Sequence, residues 1–143
     1  MIAIINGPNL NLLGKRQPEI YGKDSFESCL KKIRDQFPLE PIEYFQSNSE
    51  GEIIDKIHHL GYDSPDCKGI VINPGAYSHY SYAIADAISS INIPVVEVHI
   101  SNIMGREDFR HQSVTASSCR GMLTGFGLTG YQLAVSYLLG NEP

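Results

Sequence analysis

Cysteine is scarce in this sequence and has no metal-binding spacing. The three cysteines, Cys29, Cys67 and Cys119, lie far apart and form no C-x-x-C pair. Disulfide-stabilised secreted domains and small zinc domains both need paired or clustered cysteines. The spacing therefore argues against a disulfide framework and a zinc knuckle, and it favours reduced thiols in a cytoplasmic protein.

Excess basic charge and long apolar runs are also lacking. Eleven Lys and Arg stand against sixteen Asp and Glu, which gives a formal net charge of -5, and the basic residues are dispersed. Proteins that bind along a phosphate backbone usually carry a stripe of clustered basic residues, so nothing here supports binding to nucleic acid or to an anionic membrane. No apolar run approaches the length of a membrane span, and no basic segment of the signal-peptide kind opens the chain.

Apolar residues are plentiful enough to build a core. The chain has 143 residues, of which 42% are hydrophobic and 19% are charged. This composition is typical of a globular protein, and the length fits a single domain over residues 1–143.

Short apolar runs bounded by turn residues alternate along the chain with segments of helical period. Strands are predicted at residues 1–6, 41–47, 68–73, 93–101 and 120–124. Helices are predicted at residues 26–37, 52–60, 81–91 and 131–139, with Ser25 as the N-cap of the first and Gly61 as the stop of the second. The alternation implies right-handed βαβ units. The predicted fold is a three-layer α/β structure with a flavodoxin-like, doubly wound five-stranded parallel sheet.

The fourth predicted strand, residues 93–101 (IPVVEVHIS), has the β-branched character of a strand buried on both faces. It nevertheless carries Glu97 and His99, which are two apart and so point to the same face. Glu97 can then accept a hydrogen bond from one ring nitrogen and leave the other for a ligand, as in acid–base sites. A structural Glu97–His99 pair, in which the two buried side chains only hydrogen-bond to each other, fits the strand equally well.

Polar residues follow the predicted strands, and in open α/β sheets ligands bind at that edge. Arginine with asparagine and serine suits a small hydroxylated carboxylate, and His99 can exchange a proton near neutral pH. Residues 7–22 have no clean period, which is typical of a functional lid. Within it, Arg16 can favour the phenolate of Tyr21. A Tyr–Arg pair on the lid and a Glu–His pair beneath predict a two-sided site for an elimination.

A glycine motif offers a competing interpretation. Residues 125–130 (GFGLTG) fit the G-x-G-x-x-G pattern of a nucleotide site. Only 13 residues follow Gly130, which leaves no room for the next strand with its acidic ribose ligand. A tight strand-to-helix junction is therefore the favoured interpretation. A non-catalytic flavodoxin-like module that binds a mononucleotide is the remaining alternative, and the lack of a Gly/Ser/Thr-rich phosphate loop after the first strand speaks against it.

Four segments in order closely resemble type II 3-dehydroquinate dehydratase: GPNLNLLGKRQPEIYG, QSNSEGEIID, NPGAYSHYSYAIADA and VEVHISNIMGREDFRHQS. The resemblance extends roughly from Ile2 to Leu138. It implies a flavodoxin-like fold and a homododecamer built of trimers. It also implies the anti dehydration of 3-dehydroquinate to 3-dehydroshikimate in the shikimate pathway, with no metal and no cofactor.

The resemblance also implies residue roles. Tyr21 resembles the general base that takes the proton from C2, and Arg16 the residue that keeps it anionic. Asn9 and an ordered water would hold the resulting enolate. His99 resembles the general acid that protonates the departing C1 hydroxyl, oriented by Glu97.

The remaining matches are substrate ligands. Asn73, His79 and Arg110 match ligands of the substrate hydroxyls, and Ile100 with Ser101 matches a cradle for the substrate carboxylate. Arg106 matches a secondary lid or site residue. Asp86 matches a position that reaches a neighbouring subunit's site in the family's trimer. Departures from the family pattern are Tyr80 and Tyr82, which add bulk near His79, and Asp108, where Glu is more usual; none touches the acid or the base.

Overall fold

The computed structural model describes residues 1–15, 18–21 and 25–140, without the side chains of Pro18 and Tyr21. The strands are β1 Ile2–Asn6, β2 Ile42–Gln46, β3 Gly69–Asn73, β4 Val95–His99 and β5 Gly121–Thr124. The helices are α1 Pro18–Tyr21, α2 Phe26–Gln36, α3 Glu50–His58, α4 Tyr82–Ser89 and α5 Thr129–Leu138. Two predicted catalytic groups, Arg16 and the Tyr21 side chain, therefore lie outside the described residues.

The five strands form one parallel sheet in the order β2-β1-β3-β4-β5. This is the flavodoxin-like order, so the predicted fold class is confirmed. The register places Asn6 at the end of β1 opposite Asn73 at the end of β3. Because all five strands run the same way, their carboxyl ends meet at one edge, where the loops that follow can build a site.

Alternation along β1 explains the three layers. Ile2 and Ile4 point to one face and pack with α2 and α5, whereas Ala3 and Ile5 point to the other and pack with α3 and α4. Every residue of β1, β3 and β4 is buried. Each buried isoleucine contributes about 1.5–3 kcal/mol, so the central strands anchor both cores.

Serine residues begin three of the longer helices. Ser25, Ser49 and Ser81 each accept a hydrogen bond from a backbone N–H of the first turn, and such caps contribute about 1 kcal/mol each. The predicted N-cap at Ser25 is confirmed. The loop after β4 contains a 3₁₀ turn at Ile103–Gly105 and another at Asp108–His111.

Gly61 does not stop the second long helix, so that prediction is wrong. The helix continues beyond α3 as a π turn, His59–Asp63. A Cβ at Gly61 would lie 2.1 Å from Ile91 Cγ2. The glycine therefore allows close packing against the chain that leads to β4, and it does not serve as a C-cap.

The G-x-G-x-x-G segment forms the junction between β5 and α5. Gly125 has φ +91° and its missing Cβ would meet Asn102 at 3.0 Å. The N–H groups of Gly125 and Gly127 donate to the carbonyls of His99 and Ile100, at 3.2 and 3.0 Å. Both amides are therefore used inside the protein, which supports the packing interpretation over a phosphate site. In the described ranges no helix is long and apolar enough to cross a membrane.

Candidate active site

A pocket opens at the carboxyl edge of the sheet, bounded by the loops after β1, β3 and β4. Eight of the twelve predicted site residues line it: Asn9, Asn73, His79, His99, Ile100, Ser101, Arg106 and Arg110. Pro8, Leu10, Leu13, Gly75, Ala76 and Ile103 complete the lining and were not predicted. The structure thus brings together residues as far apart in the chain as Pro8 and Arg110.

Glu97 and His99 form the predicted pair. His99 Nε2 donates to Glu97 Oε2 at 2.7 Å, and the two side chains are 7% and 0% exposed. Because both residues lie on β4 and residues two apart on a strand share one face, this geometry follows directly from the sequence. Nε2 is occupied by the carboxylate, so Nδ1 is the ring nitrogen left for a ligand in the pocket.

His79 is the second histidine of the pocket and is fixed by the backbone. Its Nδ1–H donates to the carbonyl of Gln112 at 2.8 Å. Because a carbonyl can only accept, Nδ1 carries the hydrogen and Nε2 is the nitrogen that can meet a substrate hydroxyl. The rings of His79 and His99 lie 6.4 Å apart and nearly parallel, so two imidazoles face one small volume.

Asn73 is held by a buried network that sequence reasoning missed. Asn73 Nδ2 donates to the Tyr131 hydroxyl at 2.9 Å, and that hydroxyl donates to Asn6 Oδ1 at 2.7 Å. The Gly75 N–H donates to Asn73 Oδ1 at 3.1 Å. Burial raises the pKa of Tyr131 far above its ordinary value, so the group stays a neutral donor. This network ties the ends of β1 and β3 to α5 and sets the orientation of the Asn73 amide.

Replacing Tyr131 with phenylalanine is expected to weaken both the fold and substrate binding. The change leaves Asn73 Nδ2 and Asn6 Oδ1 without this partner in a buried place, at a cost of about 1–3 kcal/mol in the free energy of unfolding. The loss of Asn73 orientation should raise KM more than it lowers kcat. Urea unfolding and steady-state kinetics measure the two effects. Tyr137→Phe, on the exposed side of the same helix, is the matched control; equal behaviour of both variants would contradict the proposed link.

The chain passes from β1 into the pocket through a close contact. A Cβ at Gly7 would lie 2.5 Å from the Pro74 carbonyl oxygen, so only glycine lets the two loops approach. Asn9 then takes a left-handed conformation, φ 69°, and its N–H donates to Asn48 Oδ1 at 3.0 Å. Asparagine tolerates this region better than most residues. The strained turn brings Asn9 to the pocket wall.

Two arginines give the pocket a positive rim. Arg106 Nη1 donates to Ser101 Oγ at 3.3 Å, and Arg110 Nε donates to Glu107 at 2.5 Å. A hydrogen bond from its own backbone N–H, followed by Arg110, holds the pKa of Glu107 below its usual range. Glu107 is well exposed, so its pair with Arg110 is weak and can open to an anionic ligand.

Asp86 is not part of this pocket. It lies on the exposed side of α4. Helix α1, in contrast, lies next to the pocket. Its residues Glu19 and Ile20 border a groove that shares Ile100, Ser101 and Arg106 with the pocket lining. Among the residues the structure describes, no group of three or more His, Cys, Asp and Glu is placed to hold a metal ion.

Ser113 and Thr115 are further site residues that sequence reasoning missed. Both hydroxyls donate to the Glu97 carboxylate. The sequence did indicate that such donors were needed, because a buried ionised carboxylate needs more hydrogen-bond donors than one imidazole supplies. Asn6 gave the corresponding indication for Tyr131, because an asparagine inside an apolar strand also requires a hydrogen-bond partner.

Comparison with known protein families gives a match over almost the whole chain. Residues 1–139 match the family model described as dehydroquinase class II. A protein of Caldicellulosiruptor bescii named 3-dehydroquinate dehydratase is 56% identical over 137 residues, covering 94% of this chain and 92% of its own length. One of the same name from Clostridium botulinum is 55% identical over 142 residues, covering 98% and 95%.

Solved structures agree with the sequence comparison. The crystal structure of a type II dehydroquinase from Butyrivibrio crossotus superposes with a TM-score of 0.90 at 49% identity, covering 97% of each chain. Another from Propionibacterium acnes gives 0.89 at 42% identity, covering 96% of this chain and 94% of its own. The fold and the sequence therefore point to the same family.

Proposed function

The chain belongs to the class II dehydroquinase family, and we propose that it removes water from 3-dehydroquinate with Tyr21 as general base and His99 as general acid. Membership makes it a lyase, a 3-dehydroquinate dehydratase of the shikimate pathway. The observation that carries the proposed mechanism is the buried Glu97–His99 pair, whose histidine lines the pocket.

His99 supplies the acid half of the reaction. Nε2 is bound to Glu97, so the proton for the departing C1 hydroxyl comes from Nδ1. The buried carboxylate stabilises the positive ring before transfer and keeps it in one orientation. Proton transfer gives a neutral imidazole and a water molecule as the leaving group.

Tyr21 supplies the base half. Its phenol has an ordinary pKa of about 10, and Arg16 in the same loop provides the positive charge that favours the phenolate. Removal of the proton at C2, beside the C3 ketone, gives an enolate held by Asn9 and an ordered water. Support for this half comes from the family resemblance and from Glu19 and Ile20, the two residues before Tyr21, which border the groove next to the pocket.

The pocket lining fits the rest of the substrate. Ile100 and Ser101, directly after β4, form a cradle for the substrate carboxylate, with Arg106 beside Ser101. Asn73, His79 and Arg110 meet the ring hydroxyls, which explains why each of the first two is held by the protein in a fixed orientation.

We further propose assembly into a homododecamer of trimers. Asp86 lies exposed on α4, outside the pocket of its own chain, and is therefore available to a neighbouring subunit. Tyr80 and Tyr82, at the start of the same helix, are 59% and 74% exposed and could pack in that contact.

Adding 3-dehydroquinate to the purified protein is expected to raise the ultraviolet absorbance. The product is a conjugated enone carboxylate, whereas the substrate has no conjugation between its ketone and carboxylate. Absorbance recorded over time, without added metal or cofactor, measures the rate. Absence of any rise with folded protein would contradict the proposed function.

A further inference from the structure

We infer that Ser113 and Thr115 are positioning residues for the dehydration, acting through Glu97 on the acid His99. The inference rests on the proposed function of His99. It concerns a segment, residues 112–115, that has no regular structure and that the family resemblance assigned no role.

Three donors surround the Glu97 carboxylate. Oε2 accepts from His99 Nε2 at 2.7 Å and from Ser113 Oγ at 2.6 Å, and Oε1 accepts from the Thr115 hydroxyl. Glu97 and Thr115 are fully buried. Both carboxylate oxygens are therefore engaged, and the carboxylate cannot rotate without breaking a buried, charged hydrogen bond.

The two hydroxyls act as donors toward Glu97 and not toward each other. Each hydroxyl has one hydrogen, and both are used on Glu97, so the 3.1 Å approach of Ser113 Oγ to Thr115 Oγ1 adds no further donor. Ser113 Oγ in turn accepts from the Ala116 N–H at 3.0 Å. The two hydroxyls and His99 Nε2 therefore donate to one carboxylate and hold it from both oxygens.

The choice of hydroxyls has an electrostatic consequence. Within the described part of the chain, His99 is the only basic side chain in ion-pair contact with Glu97. A lysine or arginine in place of Ser113 or Thr115 would satisfy the carboxylate and remove its need for a positive imidazole. Neutral donors orient Glu97 without competing with His99 for its charge.

The segment of residues 112–115 also binds His79, and its own backbone is hydrogen-bonded to the loop after β3. Gln112 accepts from His79 Nδ1 through its carbonyl, and the Val114 N–H donates to the Ser78 carbonyl at 2.7 Å. Residues 112 and 114 therefore bind the loop after β3, whereas residues 113 and 115 bind Glu97 on β4. One short stretch of backbone sets the orientation of both imidazoles in the pocket.

The test compares kcat and KM in variants of the two hydroxyls. Thr115→Val keeps the shape but removes the donor, and it is expected to lower kcat by about 10- to 100-fold with KM nearly unchanged, as for loss of a hydrogen bond to a charged group. Thr115→Ser restores the donor and should restore most of kcat. Ser113→Ala should also lower kcat. Ser117→Ala is the matched control, because the Ser117 hydroxyl is exposed and donates only to the Val114 carbonyl.

Melting temperatures separate positioning from folding. Near-normal kcat in folded Thr115→Val and Ser113→Ala, or a loss in Thr115→Ser as large as in Thr115→Val, would overturn the inference. If Thr115→Val does not fold, kcat of Ser113→Ala decides in the same way. An inactive wild-type protein would overturn the proposed function and this inference together, whereas active wild type with fully active variants would overturn this inference alone.

Discussion

Tyr21→Phe is expected to lower kcat by about 100- to 10,000-fold, the usual contribution of a general base. Phenylalanine keeps the ring and removes only the oxygen that would take the C2 proton. We expect the fold to be unaffected, because the substitution removes a single hydroxyl and the helix that Tyr21 ends, Pro18–Tyr21, is only four residues long. Initial rates at saturating substrate measure kcat.

The control for Tyr21 is a tyrosine of no proposed role. Tyr137→Phe removes a hydroxyl from the exposed face of α5 and should leave kcat unchanged. A Tyr21→Phe protein that turns over substrate at nearly the wild-type rate would exclude the phenolate as base. A loss that appears only in KM would instead make Tyr21 a binding residue.

Glu97→Gln is the second change with a large expected effect, and it should separate activity from stability. Glutamine keeps the size of the side chain but cannot supply the negative charge that the positive ring of His99 requires. We expect kcat to fall about 100-fold or more, as for removal of general acid catalysis. The melting temperature should fall only modestly, because glutamine removes the charge partner of His99 but keeps one acceptor oxygen and supplies an amide that a hydroxyl of Ser113 or Thr115 can meet.

Paired measurements on one preparation check this expectation. kcat comes from the absorbance assay and stability from a thermal unfolding curve. If Glu97→Gln lost activity and stability in proportion, the residue would be part of the core and not of the acid. If it kept its activity, the orientation of His99 by Glu97 would be wrong.

The sequence predicted the sheet well because its periodicities are local. A strand buried on both faces, such as residues 95–99, is recognisable from β-branched residues alone, and the alternation of strands and helices sets the topology. The Glu97–His99 pair follows from the same logic, since a spacing of two on a strand fixes a shared face. Elements of this kind need no knowledge of distant parts of the chain.

Contacts between distant segments could not be predicted from these local patterns. Ser113 and Thr115 lie in a stretch without period, 16 and 18 residues beyond Glu97, and nothing local indicates where their hydroxyls point. Tyr131 looks like an apolar residue of the last helix, yet its oxygen joins β1 to β3. Gly61 looks like a helix stop, but Ile91, thirty residues later, decides its role.

The position of Tyr131 after all the described residues of the pocket lining has a consequence for synthesis on the ribosome. Every residue that lines the pocket, from Pro8 to Arg110, is translated before α5. The hydroxyl that bridges Asn6 and Asn73 arrives only with that final helix. A nascent chain can therefore assemble the walls of the site early, but it acquires a correctly set Asn73, and with it full affinity, only after α5 has been made.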